Sequence, residues 1–134
     1  MDAKEVIKLP EEIGSFLKLL EQVQKDNAWF KEEEVRLEQL TQDYLHMLEL
    51  QDTKYHDRAK IASKLRQCRI DRRSMKDAIA VTDPLVDFLA TERGKMLVSQ
   101  LQQVLGNSRK VVKNAAIRQY APRVLSMDEF SGNI

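Results

Sequence analysis

One feature constrains this chain more than any other: from residue 61 to residue 89 a single stripe of side chains recurs at alternating steps of four and three without a break. Ile61, Leu65, Cys68, Arg72, Met75, Ile79, Thr82, Val86 and Leu89 occupy it. Steps of four and three keep side chains on one face of an α-helix and build a seam that needs a partner helix, whereas a strand would need steps of two. The two polar members have a place in such a seam. A seam arginine must pair or reach outward along its stem, and polar seam residues can fix register at some cost in stability.

A partner helix is available upstream. Pro10, Glu11 and Glu12 read as a first helical turn, with proline early and acids at the positive end of the helix dipole. Ile13, Phe16, Leu20, Val23, Asn27 and Phe30 follow the same three-four spacing, and Leu37, Leu40, Tyr44, Met47 and Gln51 resume it after an apparent shift. The interruption at Trp29, Phe30 and Glu32 to Glu34 predicts a stutter or bend. Val6 to Leu9, before Pro10, reads as a short frayed arm. Gln51 to Lys54 reads as a tight reversal, with Asp52 or Thr53 as the cap of the next helix. Pro84 removes a backbone donor, but the stripe runs through it, so one kinked helix is favoured over two capped at Thr82 or Asp83. Gly94 marks the following turn. Leu97, Leu101, Val104, Ser108 and Val111 then form a third stripe, supported by Val98, Leu105 and Val112.

The expected fold is therefore all-α: an antiparallel bundle or coiled coil of three main helices over about residues 10–51, 54–92 and 95–120. The long hairpin of the first two spans about 60 Å at 1.5 Å per residue. The four glycines and three prolines are too few for an all-β chain of 134 residues, which needs turn signals every ~8–12 residues. Residues 1–124 are read as a single domain and 125–134 as a mobile C-terminal tail. A third helix this short leaves part of the hairpin uncovered, which predicts a homodimer.

Function classes narrow by chemistry. No apolar run approaches the ~20 residues of a membrane span, and Met1 to Glu5 lacks the basic and apolar regions of a signal peptide, so no membrane partner and a cytoplasmic location are expected. Cys68 is the only cysteine, which suits a buried thiol in a reducing compartment and excludes a cysteine-rich metal site. His46 and Glu49 are three residues apart, but a metal site on helices needs ligands from facing helices as well. With no phosphate-cradling glycine loop and no nucleophile elbow, no enzyme, catalytic residue, metal or cofactor is expected.

Charge is distributed unevenly. Residues 1–57 carry 14 acids and 7 bases, and residues 58–134 carry 7 acids and 15 bases. An acidic first helix against a basic second favours the hairpin; equally, the basic half can steer a polyanion or an acidic protein. Arg66, Arg69, Arg72 and Arg73, flanked by Arg58, Lys60, Lys64 and Lys76, form the densest basic run, and Arg66, Arg69, Arg73 and Lys76 are the candidate surface for a protein partner. Several cations of the run would alternatively pair with Glu32, Glu33, Glu34 and Glu38 across the hairpin. Trp29 and Phe30 fit a core pair, or an exposed anchor for the same partner. Arg109, Lys110, Lys113 and Arg118, with Tyr120 able to stack on a base, are the candidate contacts for a possible nucleic acid, although no specific fingerprint accompanies them.

Three segments carry a resemblance: Leu45-His46-Met47-Leu48-Glu49-Leu50, Arg58-Ala59-Lys60-Ile61-Ala62-Ser63-Lys64-Leu65-Arg66-Gln67 and Pro84-Leu85-Val86-Asp87-Phe88-Leu89. Together they resemble small helical proteins carried by phages and prophages of Gram-positive bacteria, over roughly residues 44–112. The resemblance implies no catalytic residue. It implies an accessory protein in the bacterial host cell that acts by binding a macromolecule, for example as an inhibitor of a defence or regulatory protein.

Overall fold

The computed structural model describes residues 1–52 and 54–118. A short 3-10 turn, Val6–Lys8, leads directly into α1, Leu9–Leu50; α2, Tyr55–Ala90, and α3, Glu92–Ala116, complete the fold, with no strand among the described residues. The helices pack on one another, so the all-α bundle expected from the seams is the observed architecture. The predicted tail, residues 125–134, lies outside the described residues.

Val6 to Leu9, expected as a frayed arm, is instead a 3-10 turn running into the first residue of α1. The Asp2 carboxylate accepts the backbone N–H groups of Lys4 and Glu5, both at 2.9 Å, while the Glu5 carboxylate accepts that of Asp2 at 3.2 Å. This reciprocal capping box satisfies amides that would otherwise be orphaned. Pro10 then occupies the first turn of α1, where its missing N–H costs nothing.

α1 and α2 run antiparallel and form the largest interface in the molecule. Asn27 and Lys31 meet Thr82 and Asp83, and Glu38 meets Arg72, so residue numbers rise on one helix as they fall on the other. Leu20, Leu37, Ile61, Cys68 and Leu89 are buried along this seam. The expected stutter at Trp29 to Glu34 is corrected: α1 is unbroken, and its buried Leu20, Asn27 and Thr41 keep seven-residue spacing with half-buried Glu34 in the remaining place. The register does not shift; a polar residue simply occupies one seam position.

α2 is likewise continuous through Pro84. Interior proline typically costs a helix about 3 kcal/mol, and the turn before it is held from the other helix. Asn27, only 3% exposed, donates to Thr82 Oγ1 and to Asp83 Oδ1, each at 2.9 Å, and Lys31 Nζ lies 3.2 Å from the same Asp83 oxygen. Thr82 itself donates back to the Ala78 carbonyl at 2.8 Å. Thr82 and Asp83 are therefore cross-helix partners rather than caps. These hydrogen bonds hold the Asp83 carboxyl below the ordinary carboxylate range, Asn27 contributing most and Lys31 next.

Two boundaries differ from expectation. The residue preceding α2 is Lys54, whose carbonyl accepts the Arg58 N–H, and among the described residues no side chain caps the helix, Asp52 included; Thr53 lies outside them. The turn between α2 and α3 is at Thr91 rather than Gly94. Thr91 is extended, its hydroxyl donates to the Phe88 carbonyl at 2.6 Å and accepts the Gly94 N–H at 3.1 Å, and Gly94 sits buried in the first turn of α3. A side chain at Gly94 would collide with the backbone of Phe88 and Leu89. Glycine is needed there for close approach and not for an unusual backbone angle, since no described residue has positive φ.

α3 does not lie along the whole hairpin. It meets the N-terminal end of α1, where Leu105 and Arg109 approach Gly14, and Arg109, Val112 and Lys113 line a cleft with Pro10 and Glu11. The face it buries also differs from the expected stripe. Leu105 is buried and Val98, Leu101 and Val112 are half-buried, whereas Leu97, Val104 and Val111 are exposed.

Candidate functional site

The outer flank of α2 carries the most distinctive surface. Arg66, Arg69 and Arg73 are exposed and line one groove of about 520 Å³, whose apolar lining comes from Ala62, Leu65 and Ile70. Lys76 joins Arg69, Arg72 and Arg73 around an adjoining depression. Helical geometry explains the gathering: steps of three and four from 66 to 76 stack these residues on one side, adjacent to the buried seam but not in it. Asp77 is the only acid lining the groove.

The ion pairs decide between the two readings of this run. Among the described residues, Arg72 is the one cation of the 58–76 segment with a salt bridge to α1, at 3.5 Å from Glu38. Its guanidinium reaches outward from the seam to that carboxylate, while its Nε is buried without a partner. Glu33 is taken by its own helix: Arg36 donates through Nε to its carboxylate at 3.0 Å. That hydrogen bond lowers the Glu33 pKa and raises that of Arg36. The expectation that several α2 cations clamp onto Glu32 to Glu38 thus holds for Arg72 alone, and Arg66, Arg69, Arg73 and Lys76 are exposed without a carboxylate partner among the described residues.

The other candidate residues are scattered. Trp29 is exposed and Phe30 half-buried, edge to face with ring centroids 5.8 Å apart, and neither lines the arginine groove. Of the proposed nucleic-acid contacts, Arg109, Lys110, Lys113 and Arg118 are all exposed, Arg109 and Lys113 also line the cleft against α1, and Tyr120 lies outside the described residues. Cys68 is buried in the seam, as expected. No group of three metal-ligating side chains is gathered among the described residues, and no helix among them is long and apolar enough to cross a membrane.

Asn27 was visible in the sequence as a polar seam residue, but its partners were not; the signal was Thr82 on the opposite stripe. Comparisons with known protein families, with curated proteins and with solved structures find no match to this chain.

Proposed function

We propose that this protein is a non-catalytic interaction module that binds an acidic protein surface through the outer flank of α2. The observation that carries the reading is a set of arginines, Arg66, Arg69 and Arg73, that make no salt bridge among the described residues and surround a groove with apolar lining. Arginine stems offer apolar contact while the guanidinium forks recognise carboxylates, a combination enriched at protein interfaces. Exposed cations that make no ion pair among the described residues are available to a partner. The resemblance to phage and prophage proteins supplies the biological setting we propose: an accessory protein or inhibitor directed at a bacterial host defence or regulatory protein, acting in the cytoplasm.

The reading of the second half as a nucleic-acid binder has less to support it, because no specific nucleic-acid fingerprint accompanies the exposed Arg109, Lys110, Lys113 and Arg118, and Glu11 shares the cleft that Arg109 and Lys113 line. The test is affinity capture from bacterial lysate with two baits, the native chain and the triple variant R66Q/R69Q/R73Q. We expect a protein with an acidic surface on the native bait and its loss from the variant. Equal recovery on both baits, or recovery of nuclease-sensitive material alone, would contradict the proposal.

A further inference from the structure

The α3 face left uncovered by the fold has an unusual charge pattern. Leu97, Val104 and Val111 stand at seven-residue intervals, 38%, 47% and 68% exposed. Beside them lie Gln100, Asn107, Ser108, Asn114 and Ala115, none of them charged. Between residues 94 and 116 the charged side chains are Lys95, Arg109, Lys110 and Lys113. At 3.6 residues per turn all four point roughly 120° or more away from Val104. A helix this cationic repels a copy of itself over most of its surface, and between residues 94 and 116 this stripe is the face from which that repulsion is absent.

Arg93 sets the direction of pairing. It stands on the same face as Val104, at the N-terminal end of the stripe. Parallel pairing would put it against its own copy. Antiparallel pairing about Val104 would carry it to the C-terminal end of the other α3, beside Ala115 and three residues short of Arg118, where the helix dipole favours a cation. In that arrangement Val104 meets Val104, Leu97 meets Val111, and the neutral amides at positions 100, 107 and 114 border the contact without opposing charges.

We propose that this face joins two copies of the chain, their α3 helices antiparallel about a twofold axis through Val104. The contact is independent of the arginine groove on α2. A helix of 25 residues is about 37 Å long and ~10 Å wide, which gives a footprint on the order of 400 Å² per copy. That is about half the ~800 Å² per partner of a standard stable interface. The dimer should therefore be reversible, forming across the micromolar range.

Sedimentation equilibrium over a concentration series tests this with the native chain and V104K. The native chain should pass from monomer to dimer, while V104K should remain monomeric with an unchanged helical circular dichroism signal, since position 104 is exposed. Cysteine cross-linking in a C68A background gives the geometry without requiring the charged variant to fold. V104C should link to itself, and L97C should link to V111C in a mixture but poorly to itself. A native chain that stays monomeric throughout, V104K dimerising as well as the native chain, or preferential self-linking of L97C would each overturn the proposal.

Discussion

Substituting Gly94 by alanine sets helix propensity against packing at the α2–α3 corner. Alanine is favoured over glycine by about 1 kcal/mol inside a helix, so propensity alone expects stabilisation. The structure reverses the sign. A Cβ on residue 94 would stand 2.7 Å from Leu89 Cα and 2.8 Å from the Phe88 carbonyl carbon, and closer still to the Phe88 carbonyl oxygen, all of them backbone atoms that no rotamer change can move. Relief requires α3 to swing away from α2, weakening the Thr91 cap whose loss costs ~1 kcal/mol, on top of ~1–3 kcal/mol for overpacking. Set against the propensity gain, G94A should lose about 2 kcal/mol. Gly106 provides the control, because nothing lies within 4 Å of a Cβ there and G106A should gain ~0.8 kcal/mol. Urea unfolding followed by circular dichroism should therefore separate two chemically identical substitutions by about 3 kcal/mol, or roughly 10 °C in melting temperature for a chain of this size. A G94A variant as stable as G106A would refute the reasoning about the corner.

Other consequences follow from the seam. N27A should destabilise the chain by about 1–3 kcal/mol, since Asn27 is buried and both its bonds cross the hairpin; a loss below ~0.5 kcal/mol in the same urea assay would deny it that role. The depressed pKa of Asp83 fixes a sign for pH dependence. Its contribution is present above the ordinary carboxylate pKa and disappears as pH falls through the lower folded value, so D83N should flatten the acid limb of a stability-versus-pH curve, and an unchanged limb would count against the Asn27–Asp83 contact. L37A, which empties a site only 4% exposed, should cost ~2–5 kcal/mol by the same denaturation, with the lower end expected in so narrow a seam.

The long hairpin was legible in the sequence because heptad spacing needs no knowledge of the partner: the stripe from Ile61 to Leu89 predicts both α2 and the face it buries. The side of α3 that packs inward was not legible. Rows 97, 104, 111 and 98, 105, 112 are both apolar, and only the approach of Gly14 and the Thr91 corner selects the second. Gly94 was misread because a glycine in sequence signals a turn, whereas its requirement here is steric and comes from the backbone of Phe88. The arginine run was visible as a run, but its freedom was not, since Glu33 looked available to α2 until Arg36 claimed it within α1. The register at Glu34 misled for a related reason: a charged residue at a seam position looks like an interruption of the stripe when it is a half-buried member of it.

The central claim is that Arg66, Arg69 and Arg73 serve a partner and not the fold, and one paired measurement addresses it. Melting temperatures of the native chain and R66Q/R69Q/R73Q are recorded, and the captured partner is then titrated onto each at two salt concentrations. Exposed charges typically contribute under ~1 kcal/mol each, so the melting temperatures should nearly coincide while the variant loses binding, and native affinity should fall as salt rises. A large drop in melting temperature, with binding lost only in step with unfolding, would contradict the claim, and undiminished binding by a folded variant would contradict it equally.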